Sequence, residues 1–193
     1  MAQLLVPVIY GSVRSERRGI KAARYAVKKL AERGHEPVLI DPCEYELALI
    51  DKMYKEYESG TAPQALVDLA GIITKADGFV FVTGEYNHAP PPALTNLVDH
   101  FLEEWFWRPA LIMSYSGGRW GGTRATFVLR SMLSELGLVT MPSELPIANI
   151  VAAFDDDGNP SDSRTDEFVK SGFDELDWFM KWMSEARRTG VPY

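Results

Sequence analysis

With 193 residues, 46% of them apolar and 24% charged, the chain can bury a substantial core in one domain and has the ordinary balance of a globular protein. A formal net charge of −7 argues against a nucleic-acid binder with its basic face, and it means that an anionic ligand needs a locally basic pocket. One cysteine, Cys43, excludes an intrachain disulfide; nothing beside it in sequence activates the thiol, so it reads as a small semi-buried residue.

The opening MAQLLVPVIYGS carries no basic leader, and no stretch approaches the roughly eighteen apolar residues of a membrane span, so a cytoplasmic protein is expected. Residues 4–10 (LLVPVIY) read as a first strand. Pro7 inside it suggests an edge or a bulge, whereas an alternating α/β topology wants this strand central. A loop rich in Gly, Ser and Arg follows (residues 11–19), and Ile20, Ala23, Val27 and Leu30 then mark a helix face that Gly34 closes. Free N–H groups at a helix start, the helix dipole, a hydroxyl and arginines suit a phosphate. The spacing is neither the dinucleotide Gly-x-Gly-x-x-Gly nor a P-loop, which leaves a mononucleotide phosphate or, more plainly, a solvated basic turn. Residues 37–41 (PVLID) are a short strand. Residues 42–63, with Tyr45, Tyr54, Tyr57 and many acidic groups, form a long connection of the kind used for lids or interfaces. Leu66, Leu69, Ile73 and Ala76 define a second helix.

Phe79, Val80, Phe81 and Val82 read as a strand buried on both faces. Gly84 ends it, and Glu85, Tyr86, Asn87 and His88 project from its carboxyl end, where open parallel sheets bind ligands. Pro90, Pro91 and Pro92 stiffen the exit into a helix expected to run to about residue 106. The aromatic cluster at 103–108 reads as core or subunit interface. Residues 110–115 (ALIMSY) make a fourth strand, followed by a glycine-rich run (116–122) that lets backbone approach a flat ligand closely. Thr123 is placed to cap the next helix, whose face is Val128, Leu129, Met132, Leu133 and Leu136. Residues 139–150 hold a fifth strand with a proline-interrupted extension. The acidic run at 155–159 reads as a solvated turn, because a calcium loop needs a downstream glutamate that is missing. A last amphipathic helix carries Phe173, Leu176, Phe179, Met180 and Met183, and the tail from Gly190 is expected to be loose. Five strands alternating with helices make a three-layer α/β domain with a mostly parallel sheet. Neither a Ser-His-Asp nor a Cys-His arrangement is apparent, which suits an enzyme whose cofactor performs the chemistry.

Gly-Glu-Tyr-Asn at 84–87, with Pro-Ala-Leu-Thr-Asn-Leu-Val-Asp at 92–99, resembles the Pro-Glu-Tyr-Asn loop and following helix of the NAD(P)H-dependent FMN reductases, a flavodoxin-like family with quinone and azo-dye reductase members. The resemblance continues through Glu104-Trp105, Arg108-Pro109, Ser114 to Gly118, and Gly11-Ser12-Val13-Arg14, covering roughly residues 4–145. It implies a single FMN-binding domain over 1–193 with a five-stranded parallel sheet in the order 2-1-3-4-5. It also implies hydride transfer from NADPH or NADH through bound FMN to a quinone, free flavin or similar small acceptor, by a ping-pong mechanism.

By the same resemblance Ser12, Arg14 and Arg17 hold the FMN phosphate, with Gly19 and Ile20 at the helix start. Gly84, Glu85, Tyr86 and Asn87 contact the flavin mostly through backbone, with Ser114, Gly117 and Gly118 opposite. His88, Arg119 and Arg124 are the candidate substrate contacts, the arginines for a 2′-phosphate, and no catalytic side chain or metal is implied. Gly84 stands where relatives carry proline, Thr95 and Arg108 where many carry lysine, and Arg17 where some carry serine. A homodimer or homotetramer built on the surface around the 103–108 segment is expected. Two other readings stay open: a flavodoxin-type FMN electron carrier that does not react with NAD(P)H, and a regulatory protein without cofactor, which the intact Gly-Ser-x-Arg loop disfavours.

Overall fold

The first apolar run becomes β1 (Leu5–Tyr10), and it lies inside the sheet, parallel to β2 (Glu36–Ile40) on one side and to β3 (Phe79–Thr83) on the other. Next to β3 comes β4 (Pro109–Tyr115), whose far edge takes β5 (Val139–Thr140) and then β6 (Leu145–Ile147). The order is therefore β2-β1-β3-β4-β5, all parallel, the flavodoxin-like order. This computed structural model describes residues 3–193. The fifth position is shared by two short strands, because residues 142–144 leave the ladder after the Met141 N–H reaches the Ala110 carbonyl (2.8 Å).

Pro7 costs this sheet little. By strand alternation its missing N–H faces β3, yet pairing with β3 begins one residue later, at Val8 against Val80. Just before it, the Leu5 N–H is taken by the Asp77 carboxylate (3.1 Å). The residue that argued for an edge thus sits where the ladder on that side has not yet started.

Helices α1 (Ile20–Glu32) and α6 (Arg164–Thr189) cover one face, packing Tyr25, Phe173, Leu176 and Met180 on Val6, Val8 and Val80. The other face is covered by α2 (Gln64–Lys75), α3 (Pro92–Asp99) and α4 (Thr123–Glu135) around Ile9, Phe79 and Phe81. A single turn, α5 (Ile150–Ala153), follows β6. Among the described residues no helix is long and apolar enough to cross a membrane. Cys43, expected to be semi-buried, is exposed.

The helix expected to reach residue 106 stops at Asp99, and a 3₁₀ turn (Glu103–Trp105) follows. Carbonyls that would continue the helix are claimed by other donors. The Trp105 indole N–H donates to Val98 (3.1 Å), and the Tyr54 N–H donates to His100 (2.7 Å). Leu102 then breaks away, with its N–H on the Glu104 carboxylate (3.1 Å). Trp105 is fully buried against Phe79, Phe81 and Phe101, so this part of the expected interface belongs to the chain's own core. The tail from Gly190 is exposed and touches the body through Tyr193, which packs on Phe106 and Trp107, whose indole N–H donates to the Tyr193 carbonyl (3.3 Å).

The connection at 42–63 is strapped to α3. Ile50 donates to the Asn96 side chain, Asn96 donates to the Ala48 carbonyl, and His100 Nε2 lies 3.1 Å from that same carbonyl. Tyr45, Leu47, Tyr54 and Tyr57 pack over the core beneath. His100 is therefore an anchor for this segment.

Arg108 shows why its position tolerates a long cation in the interior. Its guanidinium donates to the carbonyls of Ala76 (2.7 Å), Phe106 (2.8 Å) and Glu104 (3.0 Å), and also to Thr74, tying the end of α2 to the turn before β4. The planar fork reaches all four; an ammonium cannot. Arg108→Lys is expected to destabilise the fold by about 2–3 kcal/mol, because buried carbonyls lose charge-assisted partners. Urea denaturation measures this, and a loss below about 0.5 kcal/mol would mean that water replaces the fork.

Candidate active site

Strand register decides which loops meet. Tyr10 stands opposite Val82, and Thr83 stands opposite Ser114, so β1, β3 and β4 end at one level on neighbouring tracks. The loops 11–19, 84–91 and 116–122 therefore leave the same edge of the sheet. Between them lies an open cleft of about 260 Å³. Its first wall is Ser12, Arg14, Glu16, Arg17, Arg18 and Gly19; its second is Gly84, Glu85 and Tyr86; its third is Tyr115, Ser116 and Gly117. Ile150 and Val151 of α5 close one side.

The first wall is built for an anion. Gly19 caps α1 without a side-chain hydrogen bond, and no acidic residue sits in the first turn. Among the described residues, the N–H groups of Val13, Ser15, Glu16 and Arg17 donate to no protein acceptor. Three arginines line the same wall; Arg14 and Arg18 are exposed, and Arg18 lies 3.6 Å from Glu16. Arg17 is held differently, in contact with the buried carboxylate of Asp41. Ser12 is buried, and its Oγ accepts the Arg14 N–H (3.4 Å).

The second wall is stiff despite Gly84. Tyr86 and Ala89 exchange N–H to carbonyl bonds (2.9 and 3.0 Å) across Asn87 and His88, which both have positive φ (50° and 68°). That is a two-residue hairpin turn of type I′, for which asparagine is well suited and histidine strained. The turn fixes the loop without the proline that relatives carry. Glu85 is tethered as well: its carboxylate accepts the Arg124 N–H (3.1 Å) at the start of α4 and pairs with the Arg124 guanidinium (3.3 Å). Glu85 thus caps α4 across space, favoured by the helix dipole. Thr123, expected to cap, lies within the helix and donates its hydroxyl to the Trp120 carbonyl (2.7 Å); Gly122 is the cap residue.

Under the cleft lies a pair of tyrosines to which the sequence assigned no role: Tyr115 lines it, and Tyr10 is fully buried against Tyr115. The Tyr115 ring fills the space above Gly19, where an added Cβ would lie only 2.0 Å from its Cζ, and it lies close to Gly84. Its hydroxyl donates to the Tyr10 hydroxyl (3.4 Å), which donates to the Arg17 carbonyl (3.3 Å). Burial pushes both phenols above their usual range, so both remain protonated donors. A signal was present: each tyrosine is the last residue of its strand, on the same face as the apolar residues two and four before it.

Of the residues expected at the site, Ser12, Arg14, Arg17, Gly19, Gly84, Glu85, Tyr86 and Gly117 line the cleft. Ile20 is outside the lining, half-buried against the core, and Asn87 and His88 form the exposed tip of the turn. Ser114 is buried, with an Oγ that has no partner among the described residues. Gly118 is exposed beyond the rim and offers open space to a neighbour, as does Gly117. Arg119 lies over the exposed Trp120 (4.8 Å), and Arg124 is spent on Glu85. A larger cavity of about 430 Å³ lies between α5 and the start of α6, but its one arginine, Arg164, is paired with Asp162.

A parallel sheet in this order, with an anion-ready loop and glycine-rich walls at its switch point, defines a mononucleotide-binding protein of flavodoxin type. The chain belongs to the NADPH-dependent FMN reductase family, whose model matches residues 4–152 and so includes every wall of the cleft. It is similar to a quinone reductase of Pseudomonas putida, 28% identical over 188 residues covering 94% of this chain and 96% of the relative. An NAD(P)H-dependent FMN reductase of Saccharomyces cerevisiae is 31% identical over 148 residues, 68% of this chain and 74% of its own. Among solved structures, FerB, a flavoenzyme NAD(P)H:(acceptor) oxidoreductase from Paracoccus denitrificans, is 27% identical, with a TM-score of 0.71 over 94% of this chain and 98% of its own. The protein is thus an oxidoreductase of an FMN-dependent, NAD(P)H-linked family. The cleft fits the cofactor: the loop before α1 offers unclaimed N–H groups and arginines to a phosphate, and Gly117 leaves open space for a flat ring.

Proposed function

We propose that the whole chain, 1–193, acts as one FMN-binding reductase domain that passes reducing equivalents from NAD(P)H to a small acceptor such as a quinone or free flavin. The observation that carries this reading is the loop before α1, with its unclaimed N–H groups and with Arg14 lining a cleft to whose other walls Gly84 and Gly117 contribute. Bound FMN supplies the hydride chemistry, for which the cleft offers no nucleophile or acid–base pair of its own. The chain's part is to bind and orient. Ser12, Arg14 and Arg17 hold the phosphate; backbone of residues 84–87 and of Gly117 and Gly118 lies along the ring edges; the Tyr115 and Tyr10 hydroxyls, kept protonated by burial, support the loop from below. His88, on the exposed tip, faces incoming substrates.

Arg14→Ala is expected to weaken FMN binding about 10–100-fold, the worth of about 1.5–3 kcal/mol for hydrogen bonds to a charged group. Flavin fluorescence titration checks it, and an unchanged affinity would remove the phosphate assignment. Anaerobic NADPH should bleach the yellow protein. A yellow protein that NADPH never bleaches would be an electron carrier, and a colourless one that cannot be loaded with FMN would be neither.

One cleft serves both donor and acceptor, so the oxidised nucleotide leaves before the acceptor enters. Initial rates against both substrates should give the parallel double-reciprocal lines of a ping-pong mechanism. Arg119 and Arg124 are proposed to favour NADPH through its 2′-phosphate, with Arg119 the stronger candidate because Arg124 is paired with Glu85. Arg119→Ala is expected to narrow the NADPH/NADH ratio of kcat/KM by about 10-fold. An unaltered ratio in both arginine variants would leave selection to other residues.

Self-association into a homodimer or homotetramer belongs to the same proposal. With Trp105 in the core, its support is the exposed apolar pair Phe127 and Val128 on the helix that starts at the glycine wall. Light scattering of the flavin-loaded protein at micromolar concentration is expected to give at least twice the chain mass; a monomer mass would refute it.

A further inference from the structure

Asp41, the residue after β2, lies outside the lining of the cofactor cleft and is buried to 3% exposure, yet its carboxylate is committed to that cleft through Arg17. We propose that Asp41 is a positioning residue for the FMN phosphate: it holds the Arg17 guanidinium at the rim of the cleft before the phosphate arrives. The proposal rests on the FMN reading above.

The geometry is a clamp on one side chain from three directions. Arg17 Nη1 donates to Asp41 Oδ1, and the Arg17 Cζ lies 5.8 Å from the centre of the Tyr10 ring. The Tyr10 hydroxyl donates to the Arg17 carbonyl (3.3 Å), which fixes the backbone of the same residue. The carboxylate is itself fixed, because Oδ1 also accepts the Cys43 N–H (3.0 Å). Three strand ends are involved: Tyr10 closes β1, Asp41 follows β2, and Tyr10 is in turn bonded by Tyr115 at the end of β4. Arg17 nevertheless keeps its place in the lining of the cleft, and its other guanidinium nitrogens donate to no protein acceptor among the described residues.

Two effects of Asp41 oppose each other. A carboxylate near an anion site repels the anion. Against this, a free arginine loses much rotamer freedom when it orders on a ligand, and a clamped one has lost it already. Placement decides between them. Asp41 lies behind the guanidinium, on the β2 side and outside the lining, so the phosphate meets the cation and not the carboxylate. Direct hydrogen bonding to Asp41 also pushes the Arg17 guanidinium above its usual range, so the donor stays fully charged. Preorganisation therefore outweighs repulsion.

The test titrates the full-length protein, stripped of flavin, with FMN and with riboflavin, which shares the ring and lacks the phosphate. Asp41→Asn keeps the shape and an acceptor for Cys43 while removing the charge. It is expected to weaken FMN about 10-fold and riboflavin less than about twofold, and Asp41→Asn combined with Arg17→Ala should be no weaker than Arg17→Ala alone. Asp41→Glu, which keeps the charge but displaces the guanidinium, should narrow the FMN/riboflavin ratio in the same direction; it serves alone if the Asn variant does not fold. An FMN/riboflavin ratio unchanged or increased in a folded variant, or losses that add in the double variant, would overturn the proposal. A wild-type protein that does not prefer FMN to riboflavin would instead overturn the FMN reading beneath it.

Discussion

The common level at which β1, β3 and β4 end is the constraint on which this molecule depends. Parallel pairing makes it possible, since parallel neighbours present their carboxyl ends to the same edge. Three segments far apart in sequence are thereby set side by side, with the Gly11 N–H on the Val82 carbonyl (3.1 Å) joining the first two. A one-residue slip in any pair would turn Tyr10 or Tyr115 toward the opposite helical layer and leave the cleft without a floor. The buried faces prevent this: Val80 and Val82 pack under α1 while Phe79 and Phe81 pack under α2 and α3, so each register is specified from both sides.

On that base the cleft is shaped by close packing more than by polar bonds. Tyr115 needs a residue without a side chain at 19, and Gly122 needs one too, because its φ is +80° and an added Cβ would lie 2.7 Å from the Tyr115 carbonyl oxygen. The glycines that read as open walls for a flat ligand therefore do two different jobs. Gly117 and Gly118 face open space, whereas Gly19 lies against the Tyr115 ring and Gly122 against the Tyr115 backbone. Composition alone cannot separate these roles, since both look like a glycine in a loop.

This is where the legibility of the sequence ends. Strand existence, strand order and the three loops could be read because apolar runs, glycine breaks and helical spacing are local signals, and family resemblance supplied the order. Eight of the residues expected at the site do line the cleft. What could not be read depends on partners distant in sequence. The helix end at Asp99 is set by Tyr54 and Trp105 capturing carbonyls, and the α4 cap is set by Glu85 rather than by Thr123. The aromatic cluster at 103–108 could be core or interface by pattern, and only packing on Phe79 and Phe81 decides for Trp105. Asp41 looked like the end of a short strand; its role appears only through an arginine 24 positions earlier.

An acidic chain carrying −7 must concentrate cations where an anion binds, and this one gathers Arg14, Arg17 and Arg18 on one short loop. The three are not equivalent. Arg18 and Glu16 form an exposed pair, which solvent screens to little effect. Arg14 is exposed and its side chain has no partner among the described residues, so it offers charge at an entropic cost paid on binding. Arg17 offers a fixed direction, because the protein has already supplied its counter-charge and its stacking partner. A loop that holds one arginine rigid and leaves another free can first attract a phosphate over distance and then seat it in one orientation. On the proposed FMN reading, seating it sets where the attached ring would lie along the walls at 84–87 and 117–118, and that placement is what a hydride-transferring protein of this fold has to control.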